Sequence, residues 1–128
     1  MGLRMSPDQT AAAPQGSALP RIINNFIHDM STGTWAACLL VIWVIAARSK
    51  GVPPEAAAVL AQASATVFWL LVFSLVGLTI TGAIRILYWR TDTPPEQLKT
   101  KRKALIVKHV AFLVIYGAGT VWAALLAF

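Results

Sequence analysis

Two histidines, His28 and His109, are the residues whose type and spacing could do chemistry, and the chain contains no others. Each lies five or six residues inside a separate hydrophobic segment. Ionisable side chains are costly in hydrocarbon and usually mark a functional site there. Both segments are predicted to cross the membrane in the same direction. The two imidazoles then lie at the same depth to within about 2 Å, because a helix rises about 1.5 Å per residue. Two such imidazoles can ligate one haem iron from both faces.

The elements that position these histidines follow from the composition. Of the 128 residues, 57% are hydrophobic and only 12% are charged, whereas charged residues make up about a quarter of ordinary soluble domains. A bilayer is crossed by roughly 20 apolar helical residues, and segments of about 22–47, 61–88 and 104–128 qualify. The sequence therefore predicts an all-α protein, an integral membrane bundle of three transmembrane helices. Residues 1–18 are predicted to form a flexible tail, and residues 19–128 a single transmembrane domain.

The two connections differ in charge. Pro53-Pro54 is predicted to close the first helix and Pro94-Pro95 the second, since proline cannot continue a helix. The first connection carries only Arg48 and Lys50. The region of the second carries seven cations: Arg85, Arg90, Lys99, Lys101, Arg102, Lys103 and Lys108. Short basic loops stay in the cytoplasm. We therefore expect a multi-pass protein of the cytoplasmic (inner) membrane with a cytoplasmic N-terminus.

The basic residues have a default role at the lipid surface. They flank membrane spans and lack interleaved aromatic residues, so nucleic acid is not the expected partner. Anionic lipid headgroups attract such clusters. The lipid bilayer is therefore the first predicted partner of the chain.

The cofactor predicted from the histidines is a non-covalent haem b. Cys38 is the only cysteine, and no Cys-x-x-Cys-His motif for covalent haem attachment is present. Copper and zinc fit less well. A copper site is not expected because Cys38 lies too deep to join His28 and Met30 is expected on another helix face. A zinc site would need more protein ligands than the two histidines. The predicted iron ligands are His28 and His109. The predicted haem-binding residues around them are Arg85, Lys101, Arg102 and Lys108 for the propionates, and Trp35 and Tyr116 for the aromatic lining.

A structural interpretation competes with this one. Each histidine alone could be an interfacial polar residue held by a hydrogen bond. Stripes of small and hydroxyl residues let membrane helices approach closely, and plain helix packing accounts for most of them. Such stripes run through Ser74, Gly77, Leu78, Thr81 and Gly82 of span two, through Ser31, Thr32 and Leu39 of span one, and through Phe112, Leu113, Gly117 and Thr120 of span three. Packing alone does not explain why each stripe reaches a titratable or cationic group at one membrane level.

Two short motifs add a resemblance. Phe26-Ile27-His28, followed seven residues later by Trp35, resembles the opening of the copper-resistance-D and J-type protoporphyrinogen oxidase membrane proteins. Lys108-His109-Val110 is similar to motifs of the same broad group, and the likeness covers about a quarter of the chain. The resemblance implies haem binding and, for the oxidases, porphyrin oxidation. Those enzymes have a fourth helix and a lysine deep in a later span, and neither is recognisable in this sequence.

Three functions remain open at this stage. The first is a small bis-histidine b-type haem protein in electron transport, linked to quinone or acting as the haem-bearing subunit of a redox complex. The second is a haem-free structural or assembly subunit whose basic segment binds lipid or a partner. A protoporphyrinogen oxidase-like enzyme is the third. For each, a homo-oligomer or a larger membrane complex is the expected assembly.

Overall fold

The computed structural model describes residues 18–128 and consists of three long helices in an up-down-up arrangement. Helix α1 spans Ala18–Arg48, α2 spans Pro54–Asp92 and α3 spans Leu98–Ala127, with a single 3-10 turn at Pro95–Gln97 before α3. Each of the three is long and apolar enough to cross a membrane. The predicted fold class, an all-α bundle of three membrane-spanning helices, is confirmed. The predicted tail, residues 1–18, lies outside the described residues except for Ala18, which begins α1.

The helix ends follow from local chemistry. After α1, Ser49 closes the last turn through its backbone N–H and its hydroxyl, both of which donate to the Ile45 carbonyl. Gly51 follows with φ of 80°, a left-handed conformation that glycine adopts without steric cost. Pro54 then occupies the first turn of α2, where its missing N–H costs nothing. The predicted proline breaks therefore fall in the two connections.

The buried core is small because most of the apolar surface faces outward, as in a protein solvated by lipid. Trp69, Phe73 and Leu113 are among many large apolar side chains that are more than half exposed. Interhelical packing depends instead on close approach. A Cβ on Gly77 would lie 3.0 Å from Ser31 Oγ. The buried apolar residues are Trp35, Cys38, Ile42, Leu71, Leu78, Tyr116 and Ala123.

The third helix joins the other two mainly through its C-terminal half. Helices α1 and α2 make most of the interhelical contacts. In α3 the buried residues are Tyr116 and Ala123, and none of residues 98–115 is buried. At the end of the chain the Phe128 ring packs edge-on against Phe68, with ring centroids 5.3 Å apart. The first half of α3 consequently leaves room between itself and α2, and both predicted ligands face that room.

Candidate functional site

A cavity of about 520 Å³ lies between α2 and the first half of α3, and one residue of α1 reaches it. We call it the interhelical cavity. Its volume is typical of small-molecule and cofactor sites, which also combine apolar walls with a few polar groups. The residues that line it are His28 of α1; Leu75, Leu78, Thr79, Gly82, Arg85, Ile86 and Trp89 of α2; and Leu105, Lys108, His109, Phe112, Leu113, Tyr116 and Gly117 of α3.

His28 is held by a hydroxyl on the neighbouring helix. Its Nδ1 lies 3.1 Å from Thr81 Oγ1. The single hydroxyl proton of Thr81 is directed back to its own helix, where it donates to the Gly77 carbonyl at 2.7 Å. With that proton on its own helix, Thr81 Oγ1 is placed to accept from His28, and the tautomer that fits this contact carries its hydrogen on Nδ1. The Nε2 lone pair is left available to a metal, which is how partners of the second ring nitrogen prepare histidine ligands.

His109 has the same tautomer for a different reason. Its Nδ1 lies 2.6 Å from the backbone carbonyl of Leu105, one turn earlier in α3. A carbonyl can only accept, so Nδ1 donates, and in the neutral ring Nε2 keeps its lone pair. His109 is exposed at the cavity wall and His28 is half-buried. Two imidazoles on different helices thus line one cavity, each with its Nδ1 already engaged.

Two cations line the same cavity. Arg85 is 44% exposed and lies 3.9 Å from Asp29, measured from Nη1 to Oδ1. An exposed ion pair at this distance contributes little stability, so the Arg85 guanidinium can exchange Asp29 for another anion. Lys108 places its ammonium 5.7 Å from the centre of the Phe112 ring. Both cations could meet a carboxylate of a bound group, and Arg85 could do so with two parallel hydrogen bonds.

The cavity walls suit a flat apolar group. Gly82 and Gly117 line the cavity from opposite helices and carry no side chain into it. A Cβ on Gly117 would meet nothing within 4 Å, and one on Gly82 would only touch the His28 ring at 3.6 Å. Phe112 and Tyr116 stack along α3 with ring centroids 5.4 Å apart. The walls therefore present bare backbone at the two glycines and aromatic rings at Phe112 and Tyr116.

Three of the residues predicted to bind haem do not line the cavity. Lys101 and Arg102 are exposed near the start of α3, before the first lining residue. Trp35 is buried, and its indole N–H donates to Thr120 Oγ1 at 3.1 Å. Its ring packs edge-on against Tyr116, with centroids 4.5 Å apart. Trp35 therefore joins α1 to α3, and it packs against Tyr116 of the cavity wall without lining the cavity itself.

The contact of Thr81 with His28 is not predictable from the sequence, in which Thr81 belongs only to a packing stripe. A threonine on a small-residue stripe is usually read as a helix contact, and nothing in one sequence pairs it with a histidine 53 positions away. The signal that could have found it is the register of the α1/α2 hairpin, which a close approach at Ser31 and Gly77 fixes.

The donor set fits a haem better than a bare metal ion. Within residues 18–128, no group of three or more His, Cys, Asp or Glu side chains could hold a metal ion. A haem brings four nitrogen ligands of its own and needs at most two from the protein. The residues that could hold such a group are His28 and His109 for the iron and Arg85 and Lys108 for its carboxylates, since all four line the cavity.

Comparisons with known proteins give no further guide to this site. No family model matches the sequence, and neither a curated protein nor a solved structure does.

Proposed function

We propose that this chain is a small membrane haem protein of the b type that carries electrons, with His28 and His109 as the two iron ligands. One observation carries the proposal. His28 and His109 line the same cavity, and each has its Nδ1 engaged in a hydrogen bond, which leaves Nε2 for the iron. Arg85 and Lys108 would hold the propionates. The bound haem would supply a one-electron couple, and the chain would set its potential through these charges and the apolar walls.

The proposed orientation is a cytoplasmic N-terminus in a bacterial inner membrane. It is supported by the contrast between the basic second connection and the first, which has only Arg48 and Lys50. We further propose that the electron partner is a membrane quinone or a larger redox complex. The many exposed apolar side chains of the three helices are compatible with contact to lipid.

The deciding experiment is a reduced-minus-oxidised spectrum of the purified protein, with haem content per chain. We expect one low-spin b haem. His28→Ala and His109→Ala should each lose it or turn it high-spin, and added imidazole should restore the low-spin spectrum. Lys101→Ala, at an exposed cation away from the cavity, is the matched control. Wild-type spectra in both histidine variants would refute the ligand assignment.

The second candidate is a haem-free subunit that binds anionic lipid through the start of α3. It is favoured by one observation: Lys99, Lys101, Arg102 and Lys103 are all exposed there. The same spectrum separates the two candidates, since a haem-free subunit gives no haem band after expression with ample haem. In that case, binding to anionic vesicles that falls with rising salt would be the expected finding.

A further inference from the structure

A second recess lies on the opposite side of α2, against the first turns of α1. It has a volume of about 620 Å³ and a lining that is almost wholly apolar. We call it the α1/α2 groove. Several of its side chains, including Ile23 at 49% and Ile80 at 56%, are exposed on the outer surface of the bundle. It is therefore open to the bilayer. The lining residues that matter here are Ile23, Asn24, Ile80, Thr81, Ile84 and Tyr88.

Asn24 is the polar side chain of this groove. It is only 7% exposed, and its Nδ2 donates to the backbone carbonyl of Thr81 at 3.1 Å. The orientation of the amide is settled by chemistry, because a carbonyl can only accept. Asn24 makes no further hydrogen bond among residues 18–128. Its second N–H and its Oδ1 are therefore left to whatever enters the groove, and an unpaired amide in apolar surroundings is costly.

We propose that the α1/α2 groove binds the ring of a membrane quinone, with Asn24 as its hydrogen-bonding residue. An amide offers both a donor and an acceptor. The free N–H can donate to a quinone carbonyl, and Oδ1 can accept from the hydroxyl of the reduced form. A lipid acyl chain has no group to satisfy either atom. The isoleucines supply apolar contact for a ring and the start of an isoprenoid tail, and the Tyr88 ring lies at one end under the Arg21 guanidinium, 5.0 Å away.

The groove and the interhelical cavity are joined by one residue. Thr81 accepts from Asn24 through its backbone carbonyl and from His28 through its hydroxyl. Asn24 and His28 are one turn apart on α1, a rise of about 6 Å. Quinone binding in the groove can be tested without haem. Only the role of that quinone as an electron partner of the haem, close to its ligand His28, rests on the proposed function.

The test is labelling of the full chain, in lipid nanodiscs, with a photoreactive short-tail quinone, followed by peptide mapping. We expect the label on the first turns of α1 and on the α2 segment around Ile80 and Ile84. Asn24→Leu should weaken binding about tenfold, the loss expected from one or two hydrogen bonds. Asn25→Leu changes the exposed neighbouring amide and should leave binding unchanged.

A second variant protects the test against misfolding of the first. Ile80→Trp fills the groove from an exposed position and leaves the Asn24–Thr81 hydrogen bond in place. Excess unlabelled quinone should abolish the label, and excess phospholipid should not. Label elsewhere, competition by phospholipid, or undiminished binding in both variants would overturn the proposal. Wild-type protein that binds quinone but no haem would refute the haem function alone, and haem without groove labelling would refute the groove alone.

Discussion

At the scale of single residues, Thr81 is the contact that would decide which nitrogen of His28 can reach the proposed haem iron. Its hydroxyl accepts from Nδ1 because its own proton is directed to the Gly77 carbonyl. In Thr81→Val the imidazole loses this partner, and we expect haem affinity to fall by about 10- to 100-fold, as for other outer-shell partners of metal ligands. Haem titration into the apo-protein measures the loss. Thr66→Val is the control.

Thr66 is a fair control because it is an exposed threonine of the same helix whose hydroxyl donates to the Gln62 carbonyl. It does not line the cavity. Equal haem affinity in the two valine variants would mean that the Thr81 hydroxyl does not orient the ligand.

Arg85 is expected to tune the haem potential. A cation beside the haem favours the reduced state, which carries one positive charge fewer. Arg85→Gln should therefore lower the midpoint potential by tens of millivolts, the scale of one unit charge at about 10 Å in a partly polar medium, with the spectrum still low-spin. Redox titration measures the shift.

Asp29 provides a check of the opposite sign. Its carboxylate lies 3.9 Å from Arg85, so Asp29→Asn should raise the potential. A merely structural disturbance would move both variants in the same direction. Arg90→Gln, at an exposed cation that does not line the cavity, should be silent.

Some of the predicted site residues could be identified from the sequence, and others could not. Of the eight residues predicted for the site, five line one cavity: His28, His109, Arg85, Lys108 and Tyr116. Trp35 does not, because spacing gives the face of a helix and not which of two neighbours that face meets. The sequence alone does not single out Asn24, because an asparagine near a helix start is ordinarily interfacial. Its burial against Thr81 depends on the interhelical register.

At the scale of the elements, Gly119 is where α3 is held against α1. A Cβ there would lie 2.6 Å from Trp35 Cη2. The indole cannot easily yield, since it is buried and bonded to Thr120. We expect Gly119→Ala to destabilise the protein by about 1–3 kcal/mol, as overpacking does, and to lower the midpoint of thermal unfolding in detergent.

In the haem-free protein, Gly117→Ala serves as the matched control, because a Cβ there meets nothing within 4 Å. It adds the same methyl group to the same helix two residues away and should leave the unfolding midpoint unchanged or slightly higher, since alanine is the better helix former. The same midpoint in both variants would mean that the Trp35 contact does not restrain α3.

The three spans and their proline breaks were accessible from composition, but the helix lengths were not. Helix α2 begins at Pro54 and ends at Asp92, whereas its apolar segment covers about 61–88. Helix α3 begins at Leu98, ahead of the segment from about 104. Hydropathy reports only the part of a helix that suits hydrocarbon. Backbone hydrogen bonding continues into the polar layer, where charged residues are also good helix formers.

At the scale of the whole molecule, three membrane crossings would put Ala18 and Phe128 on opposite sides of the bilayer. With the basic second connection in the cytoplasm, a reporter fused after Phe128 lies outside. We expect alkaline phosphatase to be active there and inactive when inserted between α2 and α3. Reversed activities at both positions would overturn the orientation. A variant with the cations of residues 99–103 neutralised should give mixed orientations.

The unequal packing of the three helices also sets an order of assembly. Chains fold from the N-terminus as they are made, so the α1/α2 hairpin can form while α3 is still entering the bilayer. The contacts that hold α3 against the other helices, from Tyr116 to Phe128, are synthesised only after the α1/α2 hairpin. Until then, α3, which carries His109, is not yet packed against α2, which carries Arg85. The proposed haem could then enter sideways during that interval, before the contacts of Tyr116 to Phe128 close the bundle around it.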